Sequence, residues 1–383
     1  MILRTRLQDK IERALADSPI TALLGPRQCG KTTISRLIAE NHDAIIFDLE
    51  NPADFQQLST APMISLQLLQ GLIIIDEIQR IPELLTVLRV LADRKDYPAR
   101  FLILGSASPY MMKNASESLA GRVAFIDMSG FDLDETGPEH LSRLWFRGGF
   151  PRSFLSTNEH ASFQWRQNFI RTFLERDIPQ LGISIPSVSL RRFWTMLAHY
   201  HAQVWNGSEF ARSIGTSEPT ARRYLDILTG AFVVYQLQPW YENLKKRQIK
   251  SPKVYIRDTG LLHALLSLEG DAILQHPKLG LSWEGFIIDQ LVNRLETPCY
   301  FWATHGGAEV DLLTIWNGKR MGIEIKYSDA PQITKSMLIA MEDLKLEELF
   351  VIYPGNKNYR VHEKIQVIAA QNIYSADSPF ANQ

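Results

Sequence analysis

The run Gly25-Pro26-Arg27-Gln28-Cys29-Gly30-Lys31-Thr32 constrains this chain more than any other stretch. Two glycines, a lysine and a hydroxyl stand at the spacing of a phosphate-binding loop. The flanks agree with it. Thr21-Ala22-Leu23-Leu24 reads as a short buried strand, and Thr33 to Ala39 as a helix with Ile34, Leu37 and Ile38 as its apolar residues. Glycine lets the backbone curl until its N–H groups converge on phosphate oxygens. The helix N-terminus that follows adds a positive dipole. Gly25, Pro26, Arg27, Gln28, Cys29, Gly30, Lys31, Thr32 and Thr33 are therefore the expected nucleotide-binding residues. Lys31 should reach the β- and γ-phosphates of ATP, and Thr32 should ligate Mg²⁺.

The surrounding pattern is α/β. Residues 4–16 read as a helix carrying Leu7, Ile11 and Leu15 on one stripe. Apolar strands are expected at 44–48, 71–77, 100–106 and 122–127, with helical stretches such as Pro82 to Asp93 between them. The run Leu72-Ile73-Ile74-Ile75 does not alternate, which means burial on both faces of the sheet. Such alternation of strand and helix predicts a parallel sheet with its ligand at the carboxyl ends of the strands. Asp76 and Glu77 end the 71–77 strand at that edge. Asp76 is placed to hold Mg²⁺ through water, and Glu77 to accept or orient the proton of an attacking water. Ser106 ends the next strand, where it could orient the same water or sense the γ-phosphate.

With 383 residues the chain exceeds one ordinary core, so two or three domains are expected. Apolar content of 45% and charged content of 22% describe a soluble globular protein. Net charge of −1 supplies no global basic field, so any nucleic-acid contact must come from local patches. Cys29 and Cys299 form no metal-ligand spacing and no disulfide framework, which fits a reducing cytoplasm. The N-terminus lacks a signal-peptide core, and no apolar run reaches the length of a membrane span.

Gly25 to Thr33, Ile75-Asp76-Glu77-Ile78-Gln79, Leu104-Gly105-Ser106-Ala107 and Ser118-Leu119-Ala120-Gly121-Arg122-Val123 resemble prokaryotic AAA-type ATPases with a DUF4143 C-terminal region. The resemblance implies an AAA fold with an extra strand between the two nucleotide-binding strands. It also suggests Arg122 as a candidate arginine finger for a neighbouring subunit, which would require a homo-oligomer; an ordinary strand-edge arginine fits the residue too. A guanidinium suits that task because it stabilises charge on a transferring phosphoryl group. Family members continue with Pro-Leu-Ser-Phe after this strand, where this chain has Ser129-Gly130-Phe131-Asp132-Leu133. Arg147 in Arg147-Gly148-Gly149-Phe150-Pro151 matches another landmark of the family.

The middle of the chain is expected to be helical, over 163–177 and 190–204, followed by a helix-turn-helix. The latter is formed by Ser208 to Gly215 and Thr216 to Leu228. Residues 232–237 and 253–256 would form a β-wing, with Lys245, Lys246, Arg247 and Lys250 between its strands. Thr220, Arg222 and Arg223 could approach the DNA major groove and the basic wing its phosphates. The same elements also fit a packing module with a solvated basic loop.

Near the C-terminus, Asn317-Gly318 is a strong hairpin signal between residues 309–316 and 319–326. A two-residue loop puts Trp316 opposite Lys319, Leu312 opposite Ile323 and Asp311 opposite Glu324. Glu309, Asp311, Glu324 and Lys326 then share one face, while Val310, Leu312, Ile323 and Ile325 share the other. Opposed carboxylates with Cβ atoms about 5 Å apart repel, and a divalent cation between them would remove that cost. Glu284 lies on the face of a helix it shares with Ile288, Leu291 and Leu295, where a carboxylate needs a partner.

Asp311, Glu324-Ile325-Lys326 and the upstream Glu284 resemble the PD-(D/E)xK nuclease core. That resemblance implies Glu284, Asp311 and Glu324 as Mg²⁺ ligands and Lys326 as the catalytic lysine of phosphodiester cleavage. A solvated hairpin closed by a Glu309–Lys326 ion pair fits the residues too. So does a nuclease fold kept for binding without cleavage.

The expected organisation is an AAA-type P-loop ATPase domain at 1–150, a helical and winged-helix connector at 151–270, and a restriction-endonuclease-like α/β domain at 271–375. The expected function is ATP binding and hydrolysis, with nucleotide state controlling a DNA-directed, nuclease-like domain. The alternatives are a nucleotide-dependent switch or scaffold on a non-cleaving nuclease fold, and a winged-helix DNA-binding regulator.

Overall fold

A computed structural model describes residues 2–94, 99–106, 118–242, 248–295 and 297–380. The chain forms two compact units: Met1–Gly130 with Asp226–Phe232, and Phe131–Leu225 with Val233–Gln383.

The first unit is built on strands β1 (Ile20–Leu24), β2 (Ala44–Asp48), β3 (Gly71–Asp76), β4 (Ala99–Gly105) and β5 (Val123–Asp127). Their order across the sheet is β2-β3-β4-β1-β5, and every pairing is parallel. β4 thus lies between the strand that ends in the phosphate loop and the strand that ends in Asp76. All of β1 and all of β3 after Gly71 are buried, which is why their sequences run apolar without alternation. β2 is an edge strand and leaves Ile45 and Ile46 exposed. Helix Thr5–Asp17 buries Ile11 and Leu15, and helix Leu84–Ala92 buries Leu84, Leu85, Leu88 and Leu91. Parallel strands align their carboxyl ends at one edge, so the residues after Leu24, Asp76 and Gly105 share that edge.

The second unit begins with helices. Asn158 caps helix Glu159–Thr172, which continues through a π-helical turn at Phe173–Asp177 and on to Ile178–Gln180. Pro179 therefore does not end the helical path at Asp177 but lies within its last segment. Arg147 is buried, with Nε on Glu159 at 2.7 Å and Nη1 donating to the Ser156 carbonyl at 2.6 Å. It joins the end of its own helix to the turn before helix Glu159–Thr172 and to that helix's first residue. Helix Gly207–Ile214 is followed by a turn in which Gly215 takes φ = 71°, and then by helix Glu218–Gly230, whose residues from Asp226 onward belong to the first unit.

Nine strands of this unit form one sheet. They are β6 (Gln203–Val204), β7 (Val234–Pro239), β8 (Lys253–Ile256), β9 (Cys299–Ala303), β10 (Glu309–Trp316), β11 (Lys319–Ile325), β12 (Glu348–Tyr353), β13 (Tyr359–His362) and β14 (Ile365–Ala369). Their order is β13-β14-β12-β11-β10-β9-β7-β8-β6, with parallel and antiparallel pairings mixed. β7 and β8 pair antiparallel, as the hairpin pattern implies, but β7 also pairs in parallel with β9 through Gln238↔Tyr300 and Pro239↔Phe301. Trp240 N–H continues that seam to the Phe301 carbonyl at 2.7 Å. The strands read as a wing are thereby part of the larger sheet. Lys245, Lys246 and Arg247 lie outside the described residues, as does Ala107.

β10 and β11 take the register that the turn dictates, Trp316↔Lys319 through Leu312↔Ile323. Asn317 and Gly318 have φ of 49° and 74°, the pair of positive angles a two-residue hairpin loop requires. No helix among the described residues is long and apolar enough to cross a membrane.

Candidate functional site

The phosphate loop runs from the end of β1 into helix Lys31–Ala39. Gly25 cannot be another residue without movement, because a Cβ there would lie 2.1 Å from the Met128 carbonyl oxygen. Gln28 and Gly30 take φ of 63° and 106°, which folds the loop back over the helix start. Pro26 and Cys29 are buried beneath it, whereas Gln28, Thr32 and Thr33 are exposed. Lys31 is buried and donates to the carbonyls of Gly25 at 3.0 Å and Pro26 at 2.9 Å. The ammonium thus lies inside the concavity its own loop makes, where a phosphate would find it.

Asp76 reaches the same place from β3. Its Oδ2 accepts from the Thr32 hydroxyl at 2.6 Å, and its Oδ1 accepts from the Glu77 N–H at 2.9 Å. Burial raises the Asp76 pKa, and the Thr32 and Glu77 hydrogen bonds work against that rise. A hydroxyl and a carboxylate oxygen in contact are the hard oxygen donors Mg²⁺ takes, so this pair fits the cation.

Glu77 has φ = 58°, in the left-handed region. Gln79 Nε2 donates both to the Glu77 carboxylate and to Ser106 Oγ, the latter at 2.9 Å. Arg27 Nη2 stands 3.9 Å from Glu77 and 3.8 Å from Glu50. Burial raises the Glu77 pKa, opposed by the charges of Lys31 and Arg27 and by the Gln79 hydrogen bond. The structure therefore brings Lys31, Thr32, Asp76, Glu77 and Ser106 to one edge, with Arg27 and Gln79 among them. Gln79 went unread in the sequence as a site residue although it lies within the Ile75-to-Gln79 motif.

Arg122 is not part of that group. It precedes β5, and its carbonyl accepts from Ile20 N–H at the opening residue of β1. That is the opposite edge of the sheet from the loop, which follows the last residue of β1. Arg122 donates to both carboxylate oxygens of Asp93 at 2.7 Å and to the Ala120 carbonyl at 3.1 Å. It cannot serve the phosphate loop of its own chain in this arrangement.

The second cluster is assembled in the nine-stranded sheet. Asp311 comes from β10, Glu324 from β11, Lys326 from the residue after β11, and Glu284 from helix Leu279–Arg294. Asp311 Oδ2 accepts from Ile325 N–H at 2.9 Å and stands 3.9 Å from Lys326 Nζ. Lys326 Nζ lies 2.7 Å from Glu324. Glu284, Asp311 and Glu324 are all buried. β8 adds two residues that the sequence reading left out. Lys253 Nζ stands 3.1 Å from Glu284 and 3.6 Å from Asp311, and it pairs with Glu309 as well. Tyr255 donates its hydroxyl to Glu284 at 2.7 Å. Glu309 thus pairs with Lys253.

The electrostatics follow from burial. It lifts Glu284 to about 7, with Lys253 pulling the value down and Asp311 pushing it up. It lifts Glu324 to about 8, with Asp311 adding to the rise and Lys326 opposing it. Burial works against the charge on Lys253, but the facing Tyr255, Glu284, Asp311 and Glu309 outweigh it and hold the ammonium well above its ordinary pKa. The three carboxylates are linked through two ammonium groups, Lys253 shared by Glu284 and Asp311 and Lys326 by Asp311 and Glu324. Yet Lys253 occupies the space between two of them, and among the described residues no group of three or more His, Cys, Asp or Glu is disposed to hold a metal ion. As arranged, the cluster does not fit a divalent cation.

Comparison with known proteins is consistent along the chain. An AAA domain model matches residues 17–137, a domain of unknown function (DUF8612) residues 138–272, and a domain of unknown function (DUF4143) residues 279–373. Uncharacterized protein Rv2008c of Mycobacterium tuberculosis is 49% identical over 380 residues, which is 99% of this chain and 86% of that protein. Uncharacterized protein Mb2031c of Mycobacterium bovis matches to the same extent. The chain belongs to this family of AAA-domain proteins with a DUF4143 region.

The Walker-type ATPase PABY2304 of Pyrococcus abyssi has a similar fold, with a TM-score of 0.50 at 16% identity, covering 70% of this chain and 96% of that one. In this AAA-domain protein the family match falls on the unit that carries the loop, Asp76 and Glu77, and it makes that unit a nucleotide-binding, ATPase-type domain. The DUF4143 match covers Glu284, Asp311, Glu324 and Lys326 but ends short of Lys253 and Tyr255, which lie under the preceding model.

Proposed function

We propose that the first unit binds ATP in the loop Gly25 to Thr33 and hydrolyses it, and that its nucleotide state controls a DNA-directed, nuclease-like C-terminal region. The observation that carries the ATPase reading is the contact of the Thr32 hydroxyl with Asp76 beside the buried Lys31 ammonium. Backbone N–H groups of the loop would hold the phosphates, and Lys31 would leave the Gly25 and Pro26 carbonyls for the β- and γ-phosphate oxygens. Thr32 and Asp76 would hold Mg²⁺, Asp76 through water, and the bound cation supplies charge neutralisation at those oxygens. The Glu77 carboxylate would take the proton of the water that attacks the γ-phosphorus, while the ADP oxygen leaves. Ser106, joined to Glu77 through Gln79, is the proposed water-orienting or γ-phosphate-sensing group. Arg122 as a finger would act only on a neighbouring copy, since it lies at the far edge of its own sheet.

The C-terminal reading divides the chain at 1–150, 151–270 and 271–375. Glu284, Asp311, Glu324 and Lys326 form the nuclease-like constellation in it, Lys326 being the lysine placed beside the carboxylates. One observation favours the non-cleaving form of that fold, in which the region serves as a nucleotide-dependent switch or scaffold: Lys253 already pairs with the carboxylates. ATP turnover and DNA integrity measured in one reaction, with and without DNA, test the two forms. Nicking that is lost in Asp311→Ala supports cleavage. Turnover without nicking supports the switch, and nicking that Asp311→Ala keeps removes the cluster from the chemistry.

A further inference from the structure

We propose that Lys253 is the resident cation of the C-terminal carboxylate cluster, so that the cluster is closed without a divalent metal and a metal can enter only by displacing the lysine. The inference rests on the nuclease-like reading of residues 271–375 and states which cation that constellation holds.

The geometry has three parts. First, Lys253 Nζ faces three carboxylates at once, Glu284 at 3.1 Å, Asp311 at 3.6 Å and the closely paired Glu309. A lone ammonium at the centre of converging carboxylates does the electrostatic work that a bridging cation would otherwise do. Second, Lys253 is 5% exposed, so its charge has no solvent to retreat to and its partners are these side chains. Third, other donors engage these carboxylates as well. Tyr255 donates to the same Glu284 oxygen that meets Lys253, Ile325 N–H donates to Asp311 Oδ2, and Lys326 pairs with Glu324. Two ammonium groups therefore flank Asp311, one on each oxygen.

Lys253 is held there by the sheet. β8 pairs with β7, and β7 with β9, which pairs with β10, the strand of Asp311. The backbone of Lys253 itself pairs with Leu237 and Val204 on its two sides. Side-chain departure is possible, but strand departure would break a ladder on both edges. A metal would therefore meet a competitor tethered at high local concentration, and the outcome depends on whether the ammonium or the metal is the better partner for these oxygens.

Mn²⁺ binding to the nucleotide-free full chain, read as loss of the free-ion electron paramagnetic resonance signal, tests this without reference to cleavage. The wild type and Asp311→Asn should bind Mn²⁺ alike, because the cluster contributes no site. Lys253→Met keeps the stem and removes the charge; it should gain one Mn²⁺ site at least about tenfold tighter than any the wild type shows there. That site should vanish in the double variant Lys253→Met/Asp311→Asn. A wild-type Mn²⁺ site that Asp311→Asn abolishes would overturn the proposal, as would a folded Lys253→Met that gains none. Should Lys253→Met fail to fold, the wild type against Asp311→Asn decides alone. DNA binding and nicking of the same samples read the nuclease-like assignment separately. Metal gain in Lys253→Met with no DNA interaction leaves the inference standing while that assignment falls.

Discussion

Gln79 links two residues that the chemistry would use together. Its amide nitrogen donates to the Glu77 carboxylate and to the Ser106 hydroxyl, so the orientation of the proposed base is tied to the proposed water-orienting group. A base must be ionised to take a proton, so turnover should rise with pH through the Glu77 pKa. The Gln79 hydrogen bond lowers that pKa against burial. Gln79→Ala should therefore move the rising limb of the pH–rate profile to higher pH, in addition to slowing turnover. An unmoved limb would separate Gln79 from the base. At the second cluster, burial raises the folded pKa of Glu284 from 4.5 to about 7 and that of Glu324 from 4.5 to about 8. Both acids hold their protons more tightly folded than unfolded. Their stabilisation is complete below the unfolded value and is lost as pH rises through 7 to 8. Denaturation midpoints should thus fall between about pH 5 and pH 8, and Glu324→Gln should flatten that slope.

At the scale of elements, the hairpin β10–β11 depends on a turn whose two residues both have positive φ. Gly318→Val forces a β-branched side chain into the left-handed region and should cost about 1–2 kcal/mol, read by urea denaturation. A cost near zero would mean that the turn does not set the register. Much of this was legible in advance. β1, β3 and β4 read as strands because burial on both faces leaves unbroken apolar runs, and Asn317-Gly318 fixes a register by counting. The parallel seam between β7 and β9 was not legible, because pairings such as Gln238↔Tyr300 join distant segments and leave no local periodicity. Lys253 was hidden for a related reason. A lysine opening a short strand reads as a solvated residue, and its partners Glu284 and Asp311 come from a helix and a strand well downstream. Only the apolar-face position of Glu284 signalled that a partner had to exist.

For the whole molecule, the first unit brings together the groups proposed for hydrolysis, the loop, Asp76, Glu77 and Ser106, while Arg122 sits at the other edge of the sheet on Asp93. If Arg122 completes the site, it does so between copies. Arg122→Ala should then reduce turnover only under conditions in which the chain associates, and turnover per chain should rise with protein concentration in the wild type. Sedimentation and turnover measured over one dilution series check both, and concentration-independent turnover by a monomer that tolerates Arg122→Ala would exclude the finger. The measurement that bears most directly on the molecule is Mg²⁺-dependent ATP turnover by the full chain in three forms. The wild type should hydrolyse ATP, Lys31→Ala should not, and Glu77→Gln should keep ATP bound while turning it over about 10²- to 10⁴-fold more slowly. Turnover that survives Lys31→Ala at the wild-type rate would contradict the assignment of the loop as the site of hydrolysis.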